Sequence, residues 1–395
     1  MAQIAIIPRK CDGCGQCAAS CPFGAIDFLA GKPALNAACR VCGLCVKACP
    51  SQAIVRLETK VAAVDKAAWR DILVLCEATG GALHPVSLEL VGKALKLCQS
   101  AGFVVKAALI GQGVSPLAQE LRHYGVAETF VYDDPALSFF RADAFAACAE
   151  DAIRHMKPSV VLVGATSLGR SLAPRLATRF RTGLTADCTA LELREDTDLI
   201  QIRPAFGGNI MAQIVTPYTR PQFATVRYKV MDAPVRDAEA GGIVTPRPIP
   251  KAVFASPVRH VRTVPVPPAQ SISDAEVLVV GGRGLQKEAD LALVRELAAR
   301  LHGDWAVTRP LVEKGWAEGA RQIGLSGRTV RPRLILTLGA SGAIQFASCM
   351  NGSGHIIAIN TDADAPIFSV AHVCIVGDLY PIARDLLARL KEAGA

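Results

Sequence analysis

The sequence predicts an α/β protein in which a small, cysteine-rich α+β domain precedes two α/β domains with parallel-type sheets. Three observations predict this arrangement. Eight cysteines stand within the first 50 residues, apolar runs alternate with amphipathic segments from about residue 69, and a segment rich in Pro, Gly and Val interrupts that alternation at 232–270. Repeated strand–helix units are typical of a parallel sheet covered on both faces. We therefore expect domains at 1–58, 69–268 and 274–395.

Composition limits the classes of protein that this chain can represent. Hydrophobic residues make up 51% of the 395 residues and aromatic residues 5%, as in ordinary globular α/β proteins. The net charge of +8 is not concentrated in a basic tail, so we expect scattered surface charge and no nucleic-acid partner. No apolar stretch approaches the roughly 20 residues of a membrane span. The start of the chain does not resemble a signal peptide, so we expect a cytoplasmic protein.

The eight cysteines form two identical runs, C-x-x-C-x-x-C-x-x-x-C-P, at 11–22 and 39–50. This is the spacing of bacterial ferredoxins that carry two 4Fe–4S clusters. In such runs the first three thiolates bind the local cluster and the fourth crosses to the other one. We therefore expect a ferredoxin-like domain with two 4Fe–4S clusters. The expected ligands are Cys11, Cys14, Cys17 and Cys49 for the first cluster, and Cys39, Cys42, Cys45 and Cys21 for the second.

Two other readings of the cysteines are weaker. A zinc ribbon uses two C-x-x-C pairs per ion, which would leave the middle cysteine of each triplet unused. A disulfide framework requires an oxidising compartment, and the sequence gives no sign of export. The two halves also repeat in sequence, since 21–26 (CPFGAI) is echoed by 49–54 (CPSQAI). Each half should supply a strand, a cluster loop and a short helix, and the six remaining cysteines should mostly be buried.

The middle of the chain predicts alternating strands and helices. Residues 71–77 are a short apolar run typical of a buried strand, and Leu88, Val91, Leu95 and Cys98 mark one face of the helix that follows. Further strands are predicted at 103–110, 129–132 and 160–163, and helices at 116–124, 137–155 and 169–180. Residues 191–230 are more β-like. The proline-rich segment 232–270 is predicted to be an extended, non-helical arm.

The last domain begins with a strand at 276–280 that runs into the glycines of 281–284. Glycines between a strand and a helix let the backbone approach a phosphate. The signal is weak by itself because Lys287 stands where a third glycine would complete the dinucleotide pattern, so a purely structural turn is the alternative. Further polar and glycine-rich loops follow at 322–327, 338–345, 360–362 and 377–379. They should meet at the carboxyl edge of the sheet, where open α/β sheets bind ligands.

Six sequence stretches together resemble the α subunit of electron-transfer flavoproteins. They lie at 183–189 (GLTADCT), 203–209 (RPAFGGN), 219–225 (TRPQFAT), 281–284 (GGRG), 341–345 (SGAIQ) and 364–368 (DAPIF). The resemblance covers about residues 70–390. The cysteine-rich module is similar to the ferredoxin-like extension of some anaerobic α subunits, so both parts of the chain agree.

The resemblance implies that FAD binds in the last domain, which would be Rossmann-like. An arginine close to the flavin ring would favour a reduced, anionic flavin, and the Ser326 hydroxyl would be a partner for flavin N5. By motif match, the expected FAD-binding residues are Arg283, Thr308, Arg309, Gln322, Ile323, Gly324, Leu325, Ser326, Ser341, Gly342, Ala343, Ile344, Gln345, Phe346, Asn360, Asp378 and Leu379.

Two positions depart from the family pattern. Leu325 stands where the family usually has Gln, and Phe346 stands where it usually has His. In the family, that histidine reaches the pyrimidine carbonyl edge of the flavin. Phenylalanine cannot donate a hydrogen bond, so we expect weaker stabilisation of the one-electron-reduced anion here.

The resemblance further implies an electron-transfer role. The chain would pair with an electron-transfer flavoprotein β subunit and pass electrons between NADH, a flavin-dependent dehydrogenase of acyl-CoA or lactate type, and ferredoxin, by electron bifurcation. The first alternative is a non-bifurcating carrier that serves a quinone reductase. The second is an interaction or regulatory protein with purely structural clusters. The sequence shows no hydrolytic triad, no HExxH motif and only isolated histidines, so we expect no catalytic residue of that kind.

Overall fold

A computed structural model describes residues 2–29, 31–36, 38–58, 64–205, 210–264 and 271–392. The chain divides into two compact units, Met1–Val64 and Asp65–Ala395. Residues 206–209 of one family-like stretch lie outside the described residues, as do 265–270 of the predicted arm. The finer division of the second unit at 268 and 274 stays a prediction.

The first unit has the repeated architecture that the sequence predicts. Its core contains Ile4, Ile26 and Ile54 together with Cys17 and Cys45. The outer strands pair antiparallel with each other, and so do the inner ones. Its elements are β1 (Ala2–Ile6), α1 (Gln16–Ala19), β2 (Ile26–Leu29), β3 (Lys32–Leu35), α2 (Leu44–Ala48) and β4 (Ile54–Glu58).

The second unit begins with a seven-stranded parallel sheet in the order β11-β15-β10-β5-β8-β9-β16. Apolar runs such as that of the fully buried β5 explain the central strands. The strands of this region, including a short hairpin β6–β7, are β5 (Ile72–Cys76), β6 (Ala78–Thr79), β7 (Ala82–Leu83), β8 (Val105–Gly111), β9 (Glu128–Asp133), β10 (Val160–Gly164), β11 (Leu184–Cys188), β15 (Gln222–Val226) and β16 (Ile243–Pro246).

Helices cover both faces of this sheet. One core cluster includes Leu90 and Val91, and the other includes Phe145 and Leu176. His84 caps the first of these helices, because its Nδ1 accepts from the Val86 N–H at 3.2 Å. The helices are α3 (Pro85–Ala101), α4 (Ser115–Leu121), α5 (Ala142–Met156), α6 (Ser167–Arg179) and α7 (Lys251–Phe254).

The β-like stretch 191–230 is confirmed. Three antiparallel strands follow β11 and pair in chain order: β12 (Ala190–Leu193), β13 (Leu199–Ala205) and β14 (Ile210–Ile214). Arg220, in a family-like stretch, is buried and donates to Asp198 Oδ1 at 2.7 Å. This buried ion pair and the buried thiol of Cys188 are packing elements.

Two predictions for this region were wrong in part. The helix predicted at 137–155 begins at Ala142, because Asp134 caps a separate 3-10 turn over Pro135–Leu137. The arm, predicted to be non-helical, contains both β16 and the short helix α7. A proline before the first helical residue does not disturb a helix, and Pro250 holds that place. Burial of Val253 in the core beside α5 then stabilises the turn.

The C-terminal part forms a six-stranded parallel sheet in the order β19-β18-β17-β20-β21-β22. The chain leaves β17 in one direction and returns to build the other half, which opens a crevice at the carboxyl edge of the sheet. The strands are β17 (Val277–Gly281), β18 (Asp304–Thr308), β19 (Gln322–Ile323), β20 (Leu334–Leu338), β21 (His355–Asn360) and β22 (Val373–Val376). The helices are α8 (Leu291–Arg300), α9 (Arg309–Glu313), α10 (Ile344–Ala347) and α11 (Leu379–Glu392).

No helix within the described ranges has both the length and the apolar character needed to cross a bilayer. Of the six cysteines outside the two motifs, five are buried and Cys374 is exposed.

We expect Gly169→Ala to destabilise the second unit by about 1–3 kcal/mol, because an added methyl group would overlap the Gly164 carbonyl oxygen where α6 packs on β10. Gly319→Ala is the matched control, since nothing lies near its added methyl group. Urea unfolding followed by far-UV circular dichroism would measure both variants. Equal effects of the two substitutions would contradict this packing argument.

Glu89 on α3 gives a pH-dependent prediction. Its carboxylate accepts from the Lys229 N–H at 2.9 Å, but burial raises its pKa from 4.5 to about 7. Because the folded state binds the proton more tightly, stability should fall as pH rises from about 4.5 to about 7.

We therefore expect Glu89→Gln to match the wild type near pH 4 and to be more stable by about 2–3 kcal/mol near pH 8. Thermal unfolding across this pH range would measure the difference, with Glu318→Gln at an exposed position as the control. A constant difference between wild type and Glu89→Gln at all pH values would exclude the proton linkage.

Candidate functional site

The two cluster loops place their cysteines in equivalent local settings. Gly15 and Gly43, with φ of 76° and 79°, precede α1 and α2 in the left-handed conformation that glycine adopts without strain. Cys17 and Cys45 therefore lie in the first turn of each helix and are buried, and this burial raises the pKa of both thiols. Each motif thus combines a tight loop with one inward-facing sulfur.

The fourth cysteine of each motif receives a backbone hydrogen bond. The Ala25 N–H donates to Cys21 Sγ at 3.4 Å, and the Ala53 N–H donates to Cys49 Sγ at 3.3 Å. The Ser51 hydroxyl also lies 3.5 Å from Cys49 Sγ, and this contact lowers the pKa of the Cys49 thiol. Hydrogen bonds to the ligand sulfurs are one means by which proteins stabilise iron–sulfur clusters and set their potentials.

One recess brings together the cysteines that the sequence assigns to the second cluster. Cys21 lines it together with the three cysteines of the second motif, Cys39, Cys42 and Cys45. This is the set that the crossed ligation pattern requires, and all eight motif cysteines are free thiols. The residues present therefore fit a 4Fe–4S cluster at this place.

A cavity of about 520 Å³ lies at the carboxyl ends of β17, β18, β19 and β20. Thirteen of the seventeen predicted FAD-binding residues line it, and Pro310 and Glu313 line it too, although the sequence did not indicate them. The thirteen are Arg283, Thr308, Arg309, Gln322, Ile323, Gly324, Leu325, Ser326, Ser341, Gly342, Ala343, Gln345 and Phe346. The structure therefore brings four separate loops to one crevice, and their contact with FAD stays a prediction.

The other four predicted residues lie elsewhere. Ile344 lines an adjoining cavity of about 880 Å³, which shares Gly342, Ala343 and Gln345 with the first. Asn360 at the end of β21 donates to the Ala340 carbonyl at 2.9 Å, next to the rim.

The remaining two have structural roles. Asp378 accepts from the Tyr380 N–H at 2.9 Å at the start of α11. Leu379 is buried in the core cluster beneath this end of the sheet. Asp378 and Leu379 do not line the cavity, and their contact with FAD stays a prediction.

The glycines after β17 join two loops. The N–H groups of Gly282 and Gly284 donate to the carbonyls of Leu338 and Gly339 at 2.8 and 2.9 Å. A side chain at Gly282 would overlap the Gly339 backbone, so the two loops approach as closely as glycine allows. The helix α8 begins only at Leu291. These two N–H groups are therefore engaged with the loop after β20, and a phosphate-binding role for the turn stays a prediction.

The polar groups of the cavity suit a flavin. The Gln322 amide donates to Ser326 Oγ at 2.8 Å, which fixes the hydroxyl oxygen and leaves its proton available. Arg283 is exposed and, among the described residues, makes no hydrogen bond or ion pair, so its charge is free for an anionic group. Arg309 by contrast pairs with Glu313 at 2.7 Å. The donors, the free cation and the cavity walls together fit FAD.

Arg227 is a residue that the sequence did not indicate. Its Nη2 donates to the Leu325 carbonyl at 2.6 Å and to Asp187 Oδ2 at 2.8 Å, and Asp187 also pairs with Arg170 at 3.2 Å. The Leu325 N–H meanwhile donates to the Gln345 carbonyl at 3.0 Å. The loop at 322–326 is therefore held from two sides. Arg227, which follows β15 of the seven-stranded sheet, binds one side, and the loop after β20 binds the other.

We expect Arg227→Met to weaken FAD binding by about tenfold or more, since a charge-assisted hydrogen bond contributes roughly 1.5–3 kcal/mol. Arg170→Met is the matched control, because it removes an ion pair to Asp187 but no contact with the 322–326 loop. Quenching of flavin fluorescence during titration of the deflavinated protein would give both affinities. Equal losses in the two variants would show that Arg227 acts only through Asp187.

Family models agree with this division of sites. Residues 72–250 match the electron transfer flavoprotein domain, residues 271–351 its FAD-binding domain, and residues 10–54 a 4Fe-4S dicluster domain. FAD and 4Fe–4S clusters are therefore the cofactors of this chain.

Similar proteins extend over almost the whole chain. A lactate dehydrogenase (NAD(+),ferredoxin) subunit, LctC, of Acetobacterium woodii is 48% identical over 94% of this chain and 89% of its own length. An electron transfer flavoprotein subunit alpha of Thermoanaerobacterium thermosaccharolyticum is 39% identical over 82% of this chain and 98% of its own length. Protein FixB of Azorhizobium caulinodans is 39% identical over 82% of this chain and 89% of its own length.

Proposed function

Because this chain belongs to the electron-transfer flavoprotein α-subunit family, we propose that it is the α half of a heterodimer that couples NADH, ferredoxin and a flavin-dependent dehydrogenase. The observation that carries the proposal is the presence, on one chain, of the flavin cavity and of two cysteine motifs with ferredoxin spacing. FAD exchanges one or two electrons and each cluster exchanges one, so their combination suits the division of electron pairs.

Electron bifurcation is the form of coupling that we favour. NADH, oxidised on the β subunit, would supply one electron to the dehydrogenase and one to ferredoxin. Ferredoxin-type clusters can have potentials near −400 mV, which a simple dehydrogenase carrier does not need. The Acetobacterium woodii relative, whose name includes NAD(+) and ferredoxin, is similar to 94% of this chain. This similarity supports the same pair of partners here. That name also favours a lactate-type dehydrogenase over an acyl-CoA type.

The chain's own residues would bind and orient the cofactors. Gln322 and Ser326 would present one hydroxyl to the flavin, and Arg283 would compensate an anionic part of FAD. The four cysteines that share a recess would hold the second cluster. We also propose a cytoplasmic location, because no two of the described cysteines form a disulfide and the cytosol keeps thiols reduced.

Coupled turnover of the purified heterodimer tests this function. We expect NADH to reduce ferredoxin only when the dehydrogenase and its oxidised substrate, pyruvate for the lactate type, are both present. Stopped-flow absorbance would follow ferredoxin and NADH separately. A non-bifurcating carrier would instead transfer electrons to the dehydrogenase and leave ferredoxin oxidised under all conditions.

The chemical state of the preparation is checked first. Flavin content and about eight iron atoms per α chain are expected for FAD and two 4Fe–4S clusters. Replacing pyruvate by crotonyl-CoA, with an acyl-CoA dehydrogenase, distinguishes the two dehydrogenase types. Ferredoxin reduction with neither substrate would contradict the coupling.

A further inference from the structure

The two cluster loops have the same cysteine spacing but differ in the residues between the cysteines. Aligned on their cysteines, the first loop has Asp12, Gln16 and Ala19 where the second has Arg40, Leu44 and Lys47. The first loop therefore has an acidic, polar surface, and the second has two cations and a large apolar side chain. Nothing in cluster ligation requires this difference, since the cysteine spacing is identical.

The differing residues of the second loop are accessible and lie around one ligand. Cys42, Arg40 and Lys47 are exposed, and Leu44 is 45% exposed. Phe23, which is 46% exposed, lines the recess that would hold the second cluster, as do Arg40, Cys42 and Leu44.

Lys47 lies on the same surface as Leu44. It follows Leu44 by three residues in α2, so the two side chains share one side of the helix. The result is an apolar centre with a cationic rim beside an exposed cluster ligand. We call this set Phe23, Arg40, Cys42, Leu44 and Lys47 the second-loop face.

The charge of the first unit fits an acidic partner. Residues 1–64 contain seven Lys or Arg and three Asp or Glu, so about a sixth of the chain carries half of the net charge of +8. Charge complementarity speeds encounter and selects partners, and electron-carrier complexes are small and weak. Arg9 and Lys10, also exposed, lie beside the first motif and contribute to this field without an apolar centre.

We propose that the second-loop face is the docking surface for an acidic electron-carrier protein of the ferredoxin class. This inference rests on the proposed function, since it locates the surface where that partner binds. The apolar side chains Phe23 and Leu44 exclude water from the centre of the contact, and Arg40 and Lys47 pair with carboxylates at its rim. Cys42 is then the cluster ligand closest to the partner.

Binding of an oxidised, acidic two-cluster bacterial ferredoxin to the cofactor-loaded heterodimer tests the proposal without any electron transfer. Isothermal titration calorimetry at low and at physiological salt would give the affinities. We expect Arg40→Glu with Lys47→Glu to weaken binding by about tenfold or more at low salt and to flatten its salt dependence. Arg9→Glu with Lys10→Glu makes the same change in net charge beside the first motif and should weaken binding less than about threefold.

Two further measurements separate the apolar centre from the charged rim and guard against damaged variants. Leu44→Gln should weaken binding with no change in its salt dependence, because it removes apolar contact and no charge. In the wild type, carbodiimide cross-linking followed by mass spectrometry should join ferredoxin carboxylates to Lys47 in preference to Lys10 or Lys32. Iron content of each variant reports whether the clusters remain.

Several results would overturn the docking surface. Equal weakening by the two double substitutions, cross-links mainly at Lys10 or Lys32, or equally tight binding of an acidic protein without redox centres would each do so. Failure of the proposed function is seen separately, as absence of NADH-coupled ferredoxin reduction in the wild type. A heterodimer that couples normally but binds ferredoxin regardless of Arg40 and Lys47 contradicts only the location of the surface.

Discussion

The contact between two glycine loops determines where the flavin cavity lies. Gly282 and Gly284 donate to the carbonyls that end β20, and neither position has room for a side chain. This backbone contact fixes Arg283 on one wall of the cavity and Ser341 on another. The glycines therefore act by bringing protein loops together. The hydrogen-bond donors available to a ligand are side chains that lie further along each loop.

The loop at 322–326 joins this cavity to the rest of the second unit. Arg227 follows β15 of the seven-stranded sheet, yet its guanidinium binds the Leu325 carbonyl. A guanidinium that is only 12% exposed and shared between a carboxylate and a carbonyl makes strong, directional contacts. The position of the flavin-side loop thus depends on both sheets. A substitution in the seven-stranded sheet that moves Arg227 would therefore shift the 322–326 loop, even if no residue that lines the cavity is changed.

The sequence was sufficient for the features that depend on local pattern. The cysteine spacing predicted two cluster loops, and the apolar runs predicted β5, β8, β9 and β10 of the seven-stranded sheet and β17 of the six-stranded sheet. The sequence did not predict the features that depend on tertiary packing. Nothing local marks 251–254 as helical, since burial of Val253 against α5 stabilises that turn. Arg227 and Leu325 are 98 residues apart, so no spacing rule could join them. The FAD-binding roles of Asp378 and Leu379 rest on a family motif and stay a prediction.

The charge around the flavin cavity differs from what the family pattern implies. Phe346, at the usual histidine position, is buried in the lining and has no proton to donate. Glu313, which the sequence did not indicate, pairs with Arg309 and offsets its charge at the cavity mouth. This pair is well exposed, so water also screens it. Both features reduce the positive potential at the cavity. On the proposed contacts, stabilisation of a reduced, anionic flavin would rest mainly on Arg283 and on the Ser326 hydroxyl. A flavin held in this way would release an electron more readily than one beside an unpaired arginine and a histidine, which would suit a chain whose other cofactors are ferredoxin-type clusters.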